Sequence, residues 1–236
     1  MVALLRVKSI LAVSLLTLTL AFAPVARADD PPPSAQELLR SVRLAQSAQQ
    51  WKLTGRIRTG SKKTPFRLTL EKGAIRYEFT DNKDALTLRL GEKSSTLEET
   101  KGGKTARVPA AKFDAPVHDT EISYEDLSLR FIYWTDASVL GSSMISANSC
   151  WKVEVRPAAA NDSQYARVVL WIGQKDGSLM KAESYDASGK WVRRFTVTEV
   201  MKREGYWLLK KMRIESSHGR SADPTPSYLE IEEAEK

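Results

Sequence analysis

The sequence is short of the residues that carry covalent and metal chemistry: one cysteine, Cys150, and two histidines, His118 and His218. A lone thiol closes no disulfide within the chain, so stability in an oxidising compartment must rest on the core, which a chain of this length can build. Cys150 precedes Trp151 at the start of a strand-like run and reads as a buried, inert thiol. Neither histidine has the neighbouring spacing of a metal site, and both read as solvated loop residues. No G-x-S-x-G, no H-E-x-x-H and no Gly-rich phosphate loop is present; Gly102-Gly103 stands between lysines with no helix after it and reads as a turn. The carboxylate pairs Glu98-Glu99, Glu125-Asp126 and Glu232-Glu233 are sequence neighbours, which face opposite ways on a strand, so they read as solvated charge. The expectation is a non-enzymatic protein with no catalytic residue, no metal site and no cofactor.

Long apolar runs are equally scarce. The one run, Ile10 to Phe22, follows Arg6 and Lys8 and precedes Pro24 and the small residues Ala26 and Ala28. It is shorter than the ~20 residues of a membrane-spanning helix. The order matches a secretory signal peptide cleaved after Ala28. The expected organisation is a leader at 1–28 and one domain at 29–236 that begins with a polar lead at 29–34. The mature chain is expected in the periplasm, without a membrane span, and as a monomer. Removing Arg6, Lys8 and Arg27 lowers the formal charge from +7 to +4. That excess is spread along the chain and reads as a solvating surface. Six tryptophans and seven tyrosines are numerous enough to stack nucleic-acid bases, but export argues against such a partner, so they read as core and cavity wall.

Two capping boxes and a change of period organise the mature region. Ser34 with Glu37 opens a helix to about Gln50, whose Leu38, Leu39, Val42 and Ala45 form one apolar face. From Trp51 the period becomes two. Leu68 and Leu70, then Ile75, Tyr77 and Phe79, then Leu86, Leu88 and Leu90 alternate with polar residues on three successive strands. Gly73, the Asp81–Asp84 cluster and Gly91 punctuate them. Ser123 with Asp126 opens a second helix, in which Leu127, Phe131 and Trp134 share a face at i, i+4 and i+7. Strands resume at Trp151, with turns at Asp176-Gly177, Ser188-Gly189 and Glu204-Gly205. Ten or eleven antiparallel strands exceed what a flat open sheet tolerates. The fold class expected is mainly β with a few helices: a strongly curved half-barrel covered by an N-terminal and a central helix.

The segments Ile122 to Trp134, Cys150 to Pro157, Val169 to Ile172, Leu179 to Asp186 and Gly189 to Phe195 resemble the outer-membrane lipoprotein-sorting (LolA-like) family. The likeness is clearest from 120 to 216. It implies a curved antiparallel sheet with a helical lid over a cavity for acyl chains, without a cofactor. It also implies a soluble periplasmic carrier of lipoproteins or lipids, served by an inner-membrane donor complex and an outer-membrane acceptor. The basic residue followed by proline that ends a strand in the family's carriers is absent: the matching turn reads Glu71-Lys72-Gly73. The alternative is a sensing or interaction module with the same groove and no transport. Leu68, Leu70, Ile75, Tyr77, Phe79, Leu86, Leu88 and Leu90 are the candidate acyl-cavity residues, and Leu127, Phe131 and Trp134 the candidate lid. Two arrangements stay open for each: a cavity or a filled interior, and a cover hinged at 109–121 and 136–148 or a fixed plug.

Overall fold

The computed structural model describes residues 32–79, 84–118, 120–217 and 225–236. The expected leader, the first residues of the polar lead, positions 81–83 of the Asp81–Asp84 cluster and His218 lie outside the described residues. The first helix, α1 (Ala35–Ser47), starts at the expected box: Ser34 Oγ accepts from the Glu37 backbone N–H at 3.3 Å, and the Ser34 N–H donates to Glu37 Oε2 at 2.8 Å. It ends before Gln50, with Ala48 N–H on the Leu44 carbonyl at 3.0 Å.

Thirteen strands follow among the described residues, not ten or eleven. They are β1 (Trp51–Thr59), β2 (Lys62–Glu71), β3 (Ala74–Phe79), β4 (Ala85–Leu90), β5 (Ser95–Lys101) and β6 (Lys104–Arg107), then β7 (Asp136–Ile145), β8 (Asn148–Arg156), β9 (Arg167–Gly173), β10 (Leu179–Tyr185), β11 (Trp191–Arg203), β12 (Tyr206–Ser216) and β13 (Ser227–Glu235). All lie in one antiparallel sheet, ordered β6-β5-β4-β3-β2-β1-β13-β12-β11-β10-β9-β8-β7. The chain meanders outward to β6, crosses to the far edge at β7, and meanders back until β13 pairs with β1. β6 and β7 remain as edges, so the sheet is not closed. Where β1 meets β13 the register shifts at Thr54/Gly55, and a Cβ on Gly55 would lie 2.2 Å from the Glu230 carbonyl oxygen; only glycine admits that approach.

β7 occupies part of the stretch read as a hinge at 136–148. Its half-buried positions are Ala137, Val139, Gly141, Ser143 and Ile145, while Leu140 and Met144 stand on the exposed face, so the alternation has little hydrophobic contrast. β5 and β6 were hidden for a related reason: Thr, Glu and Lys dominate them.

The central helix is also shorter than its pattern. α2 (Tyr124–Ser128) stops where Leu129 turns left-handed (φ 48°), and a 3-10 turn Arg130–Tyr133 takes over. Residues 33–236 form one compact unit with two main apolar clusters. In one, Leu38, Leu39 and Val42 of α1 pack with Phe131, Ile132 and Trp134 onto Val153, Leu170 and Ile172. Gly177 (φ +68°) lets α1 come close, since a Cβ there would meet Ser41 Oγ at 2.8 Å. In the other, β1–β5 and β12–β13 receive Val108, Val117, Ile122 and Tyr124. Leu90, Leu129 and Phe195 touch both.

Candidate functional site: an apolar cavity under a fastened cover

The second cluster contains a small cavity lined by Ile57, Phe66, Tyr77, Phe79 and Leu229 from the sheet and by Val117, Thr120, Ile122 and Leu127 from the segment 109–129 laid over it. Its free volume is about 10 Å³, room for roughly one water. No charged side chain lines it, so its chemistry is that of a hydrocarbon solvent. With the cover in place it is nearly full. In this arrangement it has no room for a hydrocarbon chain.

The eight strand residues expected at the cavity do share one face: Leu68, Tyr77 and Leu86 are cross-strand partners, as are Leu70, Ile75, Leu88 and Leu97. Of the eight, Tyr77 and Phe79 reach the cavity wall. Leu68, Leu70, Ile75, Leu86 and Leu88 are packed into the core, and Leu90 is half-buried at the seam between clusters. Among the three lid candidates Leu127 lines the cavity, whereas Phe131 and Trp134 pack under α1. The left-handed Leu129 separates them, so they share no face and no single lid. Ile57, Phe66 and Leu229 follow the strand alternation, but Val117 and Thr120 sit in the aperiodic 109–121 stretch and Ile122 directly after it, where no period marks them.

The cover has structure of its own. Val117 N–H donates to the Ile122 carbonyl at 2.8 Å, Tyr124 N–H to Ala115 at 3.2 Å and Glu125 N–H to Phe113 at 3.0 Å. At its base Lys112 Nζ meets Glu99 Oε2 at 2.5 Å and Tyr124 OH donates to Glu99 Oε1 at 2.6 Å. Ser95 Oγ donates to the Ser128 carbonyl at 2.7 Å. Burial resists the charge on Glu99, but these donors outweigh it and hold its carboxyl below the ordinary range.

At α2 the fastening is buried. Glu125, only 1% exposed, accepts from Ser163 Oγ at 2.5 Å and from the Gln164 N–H at 3.2 Å. Burial nevertheless pushes its carboxyl upward. Asp126 accepts from Ser123 N–H at 2.8 Å and Tyr165 OH at 2.6 Å, and Arg193 Nε of β11 stands 3.4 Å away. Burial opposes the charge of Arg193, but Asp126, Tyr165 and Glu121 keep its guanidinium pKa raised. Glu125 and Asp126 are thus buried anchors, not the solvated charge expected of them. A carboxylate inside a capping box looks the same in sequence whether or not a loop from elsewhere covers it.

His118 also departs from its reading. It is half-buried at a left-handed φ of 48°, its ring stacked on Phe79 with centroids 3.9 Å apart. Cys150 is fully buried in a separate small cluster with Val169, Trp171 and Met180, and burial raises its thiol pKa. No group of three His, Cys, Asp or Glu among the described residues is placed to hold a metal. No described helix is long and apolar enough to cross a membrane.

A family model described as "-like: Uncharacterized protein" matches residues 100–233, more than half of the chain. The chain belongs to that family. Its fold is LolA-like. An outer-membrane lipoprotein-sorting protein domain from Vibrio parahaemolyticus superposes with a TM-score of 0.69 at 16% identity, over 85% of this chain and 91% of that one. A DUF1329 family protein from Desulfovibrio piger gives 0.65 at 16% identity over 85% and 90%. A LolA superfamily protein from Nitrosomonas europaea gives 0.59 at 16% identity over 86% and 93%. No curated protein matches in sequence. In this LolA-like sheet the cover comes from 109–129, and the half-buried arginine that faces it is Arg193, on a strand remote in sequence from the Glu71–Gly73 turn.

Proposed function

We propose that this chain is an exported, non-enzymatic holder of acyl chains that carries a lipid, or the acyl groups of a lipoprotein, toward the outer membrane. The observation that supports it most is the cavity wall: sheet and cover meet there across uncharged side chains, apolar except for Thr120 and the Tyr77 hydroxyl, while the charged contacts that fasten the cover lie at its ends. Such a cover can lift without leaving a charge in the cavity. Each methylene that then enters contributes roughly 0.8 kcal/mol. Export through a leader at 1–28 would put this activity in the periplasm, and a donor in the inner membrane and an acceptor in the outer membrane are the partners such a cycle needs. The fold of a lipoprotein-sorting domain is consistent with the reading.

The chain from Asp29, incubated with a fluorescent fatty acid and then with membranes bearing a triacylated lipoprotein, tests it. Probe binding with release of lipoprotein into the soluble fraction is expected. Binding without release favours the sensing alternative, and no binding removes the proposal.

A further inference from the structure

β11 and β12 pair as far as Arg203↔Tyr206, but the ladder from β10 ends at Thr196 and that from β13 ends at Lys211. Residues 199–210 therefore form a two-stranded arm, turned at Glu204-Gly205. It exposes large apolar side chains among its charges: Trp207 is 63% and Tyr206 56% exposed at the tip, and Val200 43% further along. Lys202 lies over the Trp207 ring at 5.9 Å. Lys210 is answered by Glu199 and Lys236 by Glu204, but Lys202 and Arg203 have no ion pair among the described residues. The β7–β8 turn falls at the same rim of the antiparallel sheet as the β11–β12 turn, and Met144 beside it is 59% exposed.

Exposed tryptophan and tyrosine next to unanswered cations match the headgroup layer of a bilayer, where the rings lie between water and hydrocarbon and the cations meet phosphates. A patch of a few side chains falls short of the ~800 Å² per partner of a stable protein interface. Shallow insertion into lipid needs less area. We propose that this rim, led by Tyr206 and Trp207, docks the protein on the surface of an anionic phospholipid bilayer. The docking is independent of what the cavity holds.

The test uses the chain from Asp29, which keeps the whole compact unit and lacks the apolar leader that would bind lipid by itself. Co-sedimentation with vesicles of phosphatidylethanolamine and phosphatidylglycerol should show binding that weakens as salt rises. Trp207→Ser should lower it about tenfold, and the pair Lys202→Gln with Arg203→Gln should lower it on anionic but not on zwitterionic vesicles. Leu140→Ser, at a 50% exposed position in the middle of β7, should leave it unchanged. Absence of vesicle binding, an unaffected Trp207→Ser variant, or an equal loss in Leu140→Ser overturns the proposal. So does concentration-dependent self-association that Trp207→Ser abolishes while vesicles remain unbound.

Discussion

Arg193 on β11 and Asp126 on α2 face each other across 3.4 Å, Asp126 buried and Arg193 half-buried with its Nε and Nη1 shielded from water, and this pair joins the cover to the half of the sheet that the cavity does not touch. Nε and Nη1 of Arg193 make no hydrogen bond in that position. The attraction is Coulombic, in a site that water does not screen.

Arg193→Met is therefore expected to lower stability by about 3 kcal/mol, the scale of leaving one buried charge without its partner. Asp126 keeps Ser123 and Tyr165, so α2 should still form. Hydrogen exchange should quicken in 109–129 and stay slow in β8 and β9. A uniform loss of protection would show that the pair holds the whole fold and not the cover.

A second carboxylate contributes to the acid limit. Glu183 on β10 is 7% exposed, and burial alone would raise its carboxyl. Lys181 Nζ at 2.8 Å, Tyr185 OH at 2.8 Å and Arg194 Nε at 2.6 Å outweigh burial and hold it below the ordinary 4.5. A carboxyl depressed in the folded state binds fewer protons there than when unfolded, so its contribution is complete above about pH 4.5 and is lost as pH falls toward the depressed value. Urea midpoints measured between pH 7 and 3 should drop below that point. Glu183→Gln should lower stability by about 2 kcal/mol at pH 7 and flatten the drop.

Leu88 separates the packed core from the cavity. It is fully buried and lies outside the cavity wall. Leu88→Phe should cost about 1–3 kcal/mol through overpacking and leave acyl-probe affinity, corrected for the folded fraction, unchanged. Weakened probe binding at unchanged stability would instead place Leu88 against the ligand.

N-terminal sequencing of protein recovered from the periplasm should begin at Asp29, since the basic start, the apolar run and Ala26 with Ala28 together meet the processing requirement. A start at Met1 would remove the export on which the proposed function rests.

The strands were legible where an apolar residue alternates with a polar one, as in Leu86, Leu88 and Leu90. They were not legible where small or polar residues carry both faces, as in β6, or where apolar residues stand on both, as in β7. Spacing aligned Leu127, Phe131 and Trp134, but spacing holds only while the helix continues, and Leu129 ends it. Ser123 and Asp126 were readable as a cap. That Ser163, Gln164, Tyr165 and Arg193 would bury that cap depends on contacts far apart in sequence, and local pattern carries no trace of them.

The decisive experiment on the cavity is at Phe79, which lines the wall and carries the stacked His118 ring. Phe79→Ala removes a side chain that is 3% exposed and should cost about 3–5 kcal/mol, partly as lost burial and partly as the void left behind. A void at this site adjoins the space beneath the cover, so an acyl chain that enters there can refill it. A ligand that binds only the folded state stabilises by an amount that grows with its concentration relative to Kd, about 2.7 kcal/mol at a hundredfold excess over Kd. Saturating fatty acid should therefore raise the Tm of the Phe79→Ala variant more than that of the parent chain. Leu88→Ala, a comparable truncation in the closed core, should gain no more than the parent does. Equal shifts in Phe79→Ala and Leu88→Ala would mean that the fatty acid binds elsewhere on the surface. No shift in any of the three would leave the cavity as a filled interior and the cover as part of the core.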